Sequence, residues 1–149
     1  MKFDSIPFAH VVYCDDVRQE ITGKLILIGV YSDSMFFPAF PTIIPQLFLM
    51  GSVQFPLSLR PRKLLAKALL GDTELHRVEL DLPEAPSDEE IARIKRHTDT
   101  EMIGRMRTNV TLTNTLVTEP ARLQLRVELD GVRIACNMLR IEQAPSQTF

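Results

Sequence analysis

Apolar and polar residues alternate along most of this chain, most clearly near its end. In ARLQLRVELDGVRIACNMLRIE, Ala121, Leu123, Leu125, Val127 and Leu129 share one face, and Arg122, Gln124, Arg126 and Glu128 the other. A period of two marks a half-buried strand. Asp130-Gly131 follows, a pair suited to the two positive-φ positions of a type I′ turn. The return strand is expected to turn Val132, Ile134 and Cys136 inward. The phase then slips, because Leu139 and Ile141 are apolar while Arg140 and Glu142 are polar. A bulge near Asn137–Leu139 would absorb the extra residue.

The same habit predicts further strands over Ile6–Cys14, Leu25–Tyr31, Gln46–Phe55, Lys63–Leu70, Leu75–Leu82 and Arg107–Leu116. Pro38, Pro41, Pro45, Pro56 and Pro61 fall between strands or at edges, where a missing N–H is tolerated. One helix is expected. Ser87 with Glu90 forms a capping box, Asp88 and Glu89 fill the first turn, and Arg93, Lys95 and Arg96 the last. Its apolar stripe is only Ile91 and Ile94, so it is a surface crossover. About seven to nine short strands with one surface helix indicate an all-β fold, a two-sheet antiparallel β-sandwich. The expected domain is 1–142, followed by a flexible polar tail, 143–149.

With 149 residues, 45% hydrophobic and 24% charged, the chain has the size and composition of one soluble globular domain. A net charge of −2 argues against general nucleic-acid binding, which needs a basic surface. Two basic groups, Arg60, Arg62, Lys63, Lys67 and Arg93, Lys95, Arg96, Arg105, Arg107, would make a stripe only if they met in space. No aromatic residues interleave with them, as stacking on single strands would need. MKFDSIPFAH does not read as a secretory signal, and no apolar run approaches the ~20 residues that span a bilayer. A cytoplasmic location without membrane contact is therefore expected, with Cys14 and Cys136 reduced.

The stretch CDDVRQEITGKLILIGVYSD, followed by FPAFPTIIPQLFL, resembles an uncharacterised bacterial family of domains of unknown function. Its pattern is a strand leading into Cys-Asp/Glu-Asp-x-Arg-x-Glu, then Gly-Lys and an apolar strand ending Ile-Gly-Val-Tyr. Cys14, Asp15, Asp16, Arg18, Glu20, Gly23, Lys24, Gly29, Val30, Tyr31, Phe40 and Pro41 match it. The resemblance implies a β-sandwich of immunoglobulin-like or C2-like appearance, and no activity.

Several chemistries compete with plainer roles for the same residues. C2-like sandwiches hold calcium with acids on loops at one end. Asp15, Asp16, Glu20 and Asp33 are candidates, but Asp33 lies beyond a strand that spans ~20 Å at ~3.3 Å per residue. The plainer reading has Asp15 accepting backbone N–H groups as a turn or cap, and Arg18 pairing with Asp16 or Glu20. Asp15, Asp16, Arg18, Glu20 and Lys24 are then a structural motif fixing the connection between the first two strands. Cys14 is a nucleophile only with a base beside it. His10, four strand residues away at ~13 Å, cannot serve, and both cysteines are expected inward as small apolar residues. No cofactor motif and no catalytic constellation stands out.

Apolar excess is the more telling feature. Leu25–Tyr31 is apolar on both faces; read as a central strand, it puts one face in the core and leaves the other needing a cover. MFFPAFPTIIPQLF adds Met35, Phe36, Phe37, Phe40, Ile43 and Ile44, either as that cover or as an exposed patch for a protein partner or a second copy. The leading expectation is a non-enzymatic protein-binding or assembly module acting through Met35–Ile44. The alternative is a ligand- or calcium-binding sandwich using the Asp15/Asp16 loop.

Overall fold

The computed structural model describes residues 6–95 and 103–146. Ten strands and one α-helix follow in order: β1 (Phe8–Gln19), β2 (Leu25–Tyr31), β3 (Ser34–Phe37), β4 (Thr42–Pro56), β5 (Lys63–Leu70), β6 (Thr73–Asp81), α1 (Asp88–Lys95), β7 (Ile103–Val117), β8 (Ala121–Leu129), β9 (Val132–Ile134) and β10 (Met138–Gln143). They form two sheets, one ordered β2-β1-β4-β7, the other β3-β10-β8-β5-β6 with β9 also on β8.

The expected all-β sandwich is present, and alternation builds it. Leu123, Leu125, Val127 and Leu129 of β8 are buried. They join Leu64, Ala66 and Ala68 of β5, Leu139 and Ile141 of β10, and Val11, Tyr13, Leu47, Leu49, Val53 and Val110 from the four-stranded sheet in one core. The inner faces of the two sheets supply the apolar surface, as in a sandwich. Asp130 and Gly131 both have positive φ, 48° and 79°, as their turn requires. Asp130 also accepts the backbone N–H groups of Arg62 and Lys63 at 2.9 Å each, tying the turn to the start of β5.

The helix is capped as expected. Ser87 N–H donates to Glu90 Oε2 at 2.8 Å and Glu90 N–H to Ser87 Oγ at 3.2 Å. Arg96 of the expected last turn lies outside the described residues. No helix among the described residues is long and apolar enough to cross a membrane.

The ten strands exceed the seven to nine expected, and four further features differ. First, β3 pairs with β10 in parallel, Ser34 to Arg140 through Phe37 to Gln143, so the sandwich is not purely antiparallel. Second, that pairing continues past the expected domain end: Ala144 N–H donates to Phe37 O at 2.8 Å and Gln143 Nε2 to Pro38 O at 3.2 Å. Third, the inward series of the return strand fails at its first member, since Val132 is exposed while Ile134 is buried. Fourth, β1 does not stop at Cys14 but runs to Gln19, and β2 is an edge strand, not a central one.

Candidate functional site

The first two strands shape the most unusual region. β1 pairs with β4 from Phe8 to Cys14 and with β2 from Tyr13 to Gln19, so the two partners overlap only at Tyr13 and Cys14. Beyond Cys14 and Phe48 the four-stranded sheet forks. One arm is the β1–β2 hairpin; the other is β4 continuing with β7 through Thr42 and Val117. Gln46 reaches back across the fork, its Nε2 donating to Asp15 O at 3.1 Å.

The second arm kinks at Pro45, which lacks an N–H to donate, and at Asn114 opposite it, whose φ is +47°. From Leu47 to Phe55 odd-numbered β4 residues face the core; on the N-terminal side of Pro45 the phase reverses, burying Ile44 and exposing Ile43 with its cross-strand partner Leu116.

The first arm carries Asp15, Asp16, Arg18, Glu20 and Lys24. Asp15 accepts the Tyr31 hydroxyl at 2.7 Å. Gly29 lies beneath that carboxylate with φ +67°; a Cβ there would overlap Asp15. Glycine is required twice over, for the left-handed backbone and for the space. Burial, followed by the Asp15 hydrogen bond and charge, pushes the Tyr31 hydroxyl up to about 12. Asp16 accepts Val17 N–H at 2.9 Å and pairs with Arg18 at 3.2 Å. At the tip, Glu20 N–H donates to Lys24 O and Gly23 N–H to Glu20 O, closing the turn.

These contacts revise the reading of the acids. Asp15 holds a tyrosine across the hairpin rather than a turn, and the local acceptor is Asp16. Both belong to a strand, where consecutive side chains point to opposite faces. They therefore cannot converge on one cation. Asp33 pairs instead with Arg140 at 3.0 Å. No group of three potential metal ligands occurs among the described residues.

The apolar residues are also redistributed. Only Tyr31, at the end of β2, packs half-buried against the core; Leu25, Ile26, Leu27, Ile28 and Val30, on both faces, are 36–56% exposed. Met35–Ile44 is not their cover. Met35 and Ile44 are buried in the core, out of reach of any partner of the folded chain. Phe37 and Phe40 meet edge to face at 6.1 Å and pack half-buried against it. Phe36 and Ile43 stand exposed, on the outer strand of one sheet and on the second arm of the other.

Cys14 is fully buried but alternates with the core residue Tyr13, so it lies on the outer face, between its cross-strand partners Phe48 and Val30. Burial and then the charges of Asp15 and Asp16 push its thiol up, which disfavours the thiolate a nucleophile needs. Cys136, half-buried, is pushed up to about 11 by burial. Of the first basic group, Arg60 and Arg62 line a cleft of about 730 Å³ with Glu84, Ser87 and Glu90, and Arg60 pairs with Asp88. These cations meet the acidic start of α1.

One important residue escaped the sequence reading. At the phase slip between β9 and β10, the Asn137 amide turns toward the edge of β1 that β2 leaves bare. Val11 N–H donates to its Oδ1 and its Nδ2 to Val11 O, both at 2.8 Å. The Tyr13 hydroxyl donates to Asn137 O at 3.0 Å. The irregularity itself was visible in the sequence, but its partner was not.

No curated protein and no solved structure matches the chain. The model of a family of unknown function (DUF6941) matches residues 9–142, and the chain belongs to that family.

Proposed function

We propose that this protein is a non-enzymatic assembly module that binds protein through the forked end of its four-stranded sheet, with β2 as the docking strand. One observation carries the reading: β2 is apolar, exposed on both faces, and has a strand on one side only. The N–H and C=O groups it turns away from β1 are a template for an added strand, and its side chains offer apolar surface on both sides of that strand. Ile43 and Leu116 extend the apolar surface onto the other arm. The two unpaired cysteines fit a reducing compartment, and the cytoplasm is the proposed setting.

A photo-crosslinking residue placed at Ile26 or Val30 in cells tests this reading. Adducts at these positions, exceeding those from a control at Glu74 on β6, support it. Equal yields at β2 and β6 overturn it.

A further inference from the structure

Resting on that reading, we infer that the strand that docks on β2 is β2 of a second copy of this chain, antiparallel to the first across a two-fold axis near Ile28. Among the described residues the strands at the ends of the two sheets are β2, β7, β3 and β6, and β9 adds an edge of only three residues. β6 carries Glu74, His76, Arg77, Glu79 and Asp81, and β7 carries Arg105 and Arg107. Charged side chains of this kind deter pairing along an edge. β3 lacks charge but has only four residues. β7 is uncharged from Thr108 to Val117 but rich there in Thr and Asn, so β2 alone is long, uncharged and apolar throughout.

Its sequence is self-complementary. With the axis at Ile28, Ile28 faces its own copy and Ile26 faces Val30 of the other chain on one side of the new sheet. β-Branched pairs of this kind favour cross-strand packing. On the opposite side Leu27 meets Gly29 and Leu25 meets Tyr31, large against small and aliphatic against aromatic. The charges fall at the ends. Lys24 comes opposite Ser32 of the second copy, beside Asp33, and the same pair recurs across the axis. Asp33 remains 69% exposed despite its bond to Arg140, so it is open to a second cation. The contact is isologous and closes on itself, joining two four-stranded sheets into one of eight.

Sedimentation equilibrium of the purified full chain, from micromolar to about 100 µM, tests the inference against two variants. The wild type is expected to dimerise. Ile26→Lys/Ile28→Lys is expected to be monomeric with an unchanged near-ultraviolet spectrum, which separates loss of pairing from loss of fold. Lys24→Glu is expected to weaken the dimer at least tenfold, with the loss shrinking in high salt. A monomeric wild type over the whole range overturns the inference, as does a dimer indifferent to the double lysine variant. The cellular adducts at Ile26 distinguish the two levels. Adducts to another protein only leave the module reading standing and remove the second copy; equal yields at β2 and β6 remove both.

Discussion

The Asn137 side chain makes two 2.8 Å hydrogen bonds with the backbone of Val11, taking the place of a neighbouring strand at the bare edge of β1. An amide presents one donor and one acceptor, the pair a backbone edge requires. Asn137→Ala leaves both Val11 groups without their partners. At about 1–3 kcal/mol for each unsatisfied group, the expected loss is about 2–6 kcal/mol, read as a lower midpoint in urea. Asn137→Asp keeps the acceptor but turns a second oxygen toward the Val11 carbonyl, so it should not rescue stability. A midpoint unchanged in Asn137→Ala would show the contact to be dispensable.

Gly29→Ala should damage the hairpin arm without unfolding the sandwich. The substitution places a Cβ in the Asp15 carboxylate and strains a backbone at φ +67°. Hydrogen exchange is the suitable measurement. Amides of β2 should lose protection while those of β4 and β8 keep theirs, since a two-stranded hairpin has little stability of its own.

Arg18→Ala should cost little. Arg18 is 70% exposed and pairs only with Asp16 among the described residues. Exposed ion pairs contribute about 0–1 kcal/mol, so the melting temperature should move by no more than a few degrees. A sequence reading that places Arg18 in a rigid connection expects a larger loss. A fall of many degrees would restore that view.

Alkaline pH should unfold the protein early. Burial holds Cys136 up to about 11 from 9.0, and burial with Asp15 holds Tyr31 up to about 12 from 10.0. Tyr13 is raised as well, mainly by burial. For each raised group the folded chain favours the neutral form. The resulting stability is complete below the unfolded value and is lost as pH climbs through the folded one. The window therefore runs from about pH 9 to about pH 12. Urea midpoints should fall across it, and Tyr31→Phe should flatten its upper part.

Leu125→Ala tests the core. Leu125 is 1% exposed at the centre of β8, and truncation there should cost about 2–5 kcal/mol. Cys14→Ala, on the outer face, removes a smaller group and should cost less.

Alternation revealed β5 with its bounds, the β8–β9 turn and the capped helix because each depends on neighbours in sequence. The fork was hidden because it depends on which strands stop pairing. Two apolar faces on Leu25–Tyr31 looked like a central strand, since burial on both faces is the usual reason for such a run. Here the strand pairs with β1 alone, and except at Tyr31 both faces meet solvent. Ile43 and Ile44 exchanged roles for a similar reason: Pro45 and Asn114 reset the phase between them and the rest of β4. The acids at positions 15 and 16 were visible, but not that they lie on opposite faces, because the strand containing them outran its apolar pattern.

Asn137 and Val11 are 126 residues apart, and Arg140 and Asp33 are 107 apart. Long-range contacts of this kind form slowly, because a large loop must close before they add any stability. On the ribosome, β1 and β3 emerge well before the segment that secures them. Until β10 is made, β8 and β3 both lack the neighbour that lies between them in the finished protein, and this interval is when the nascent chain is most exposed to mispairing.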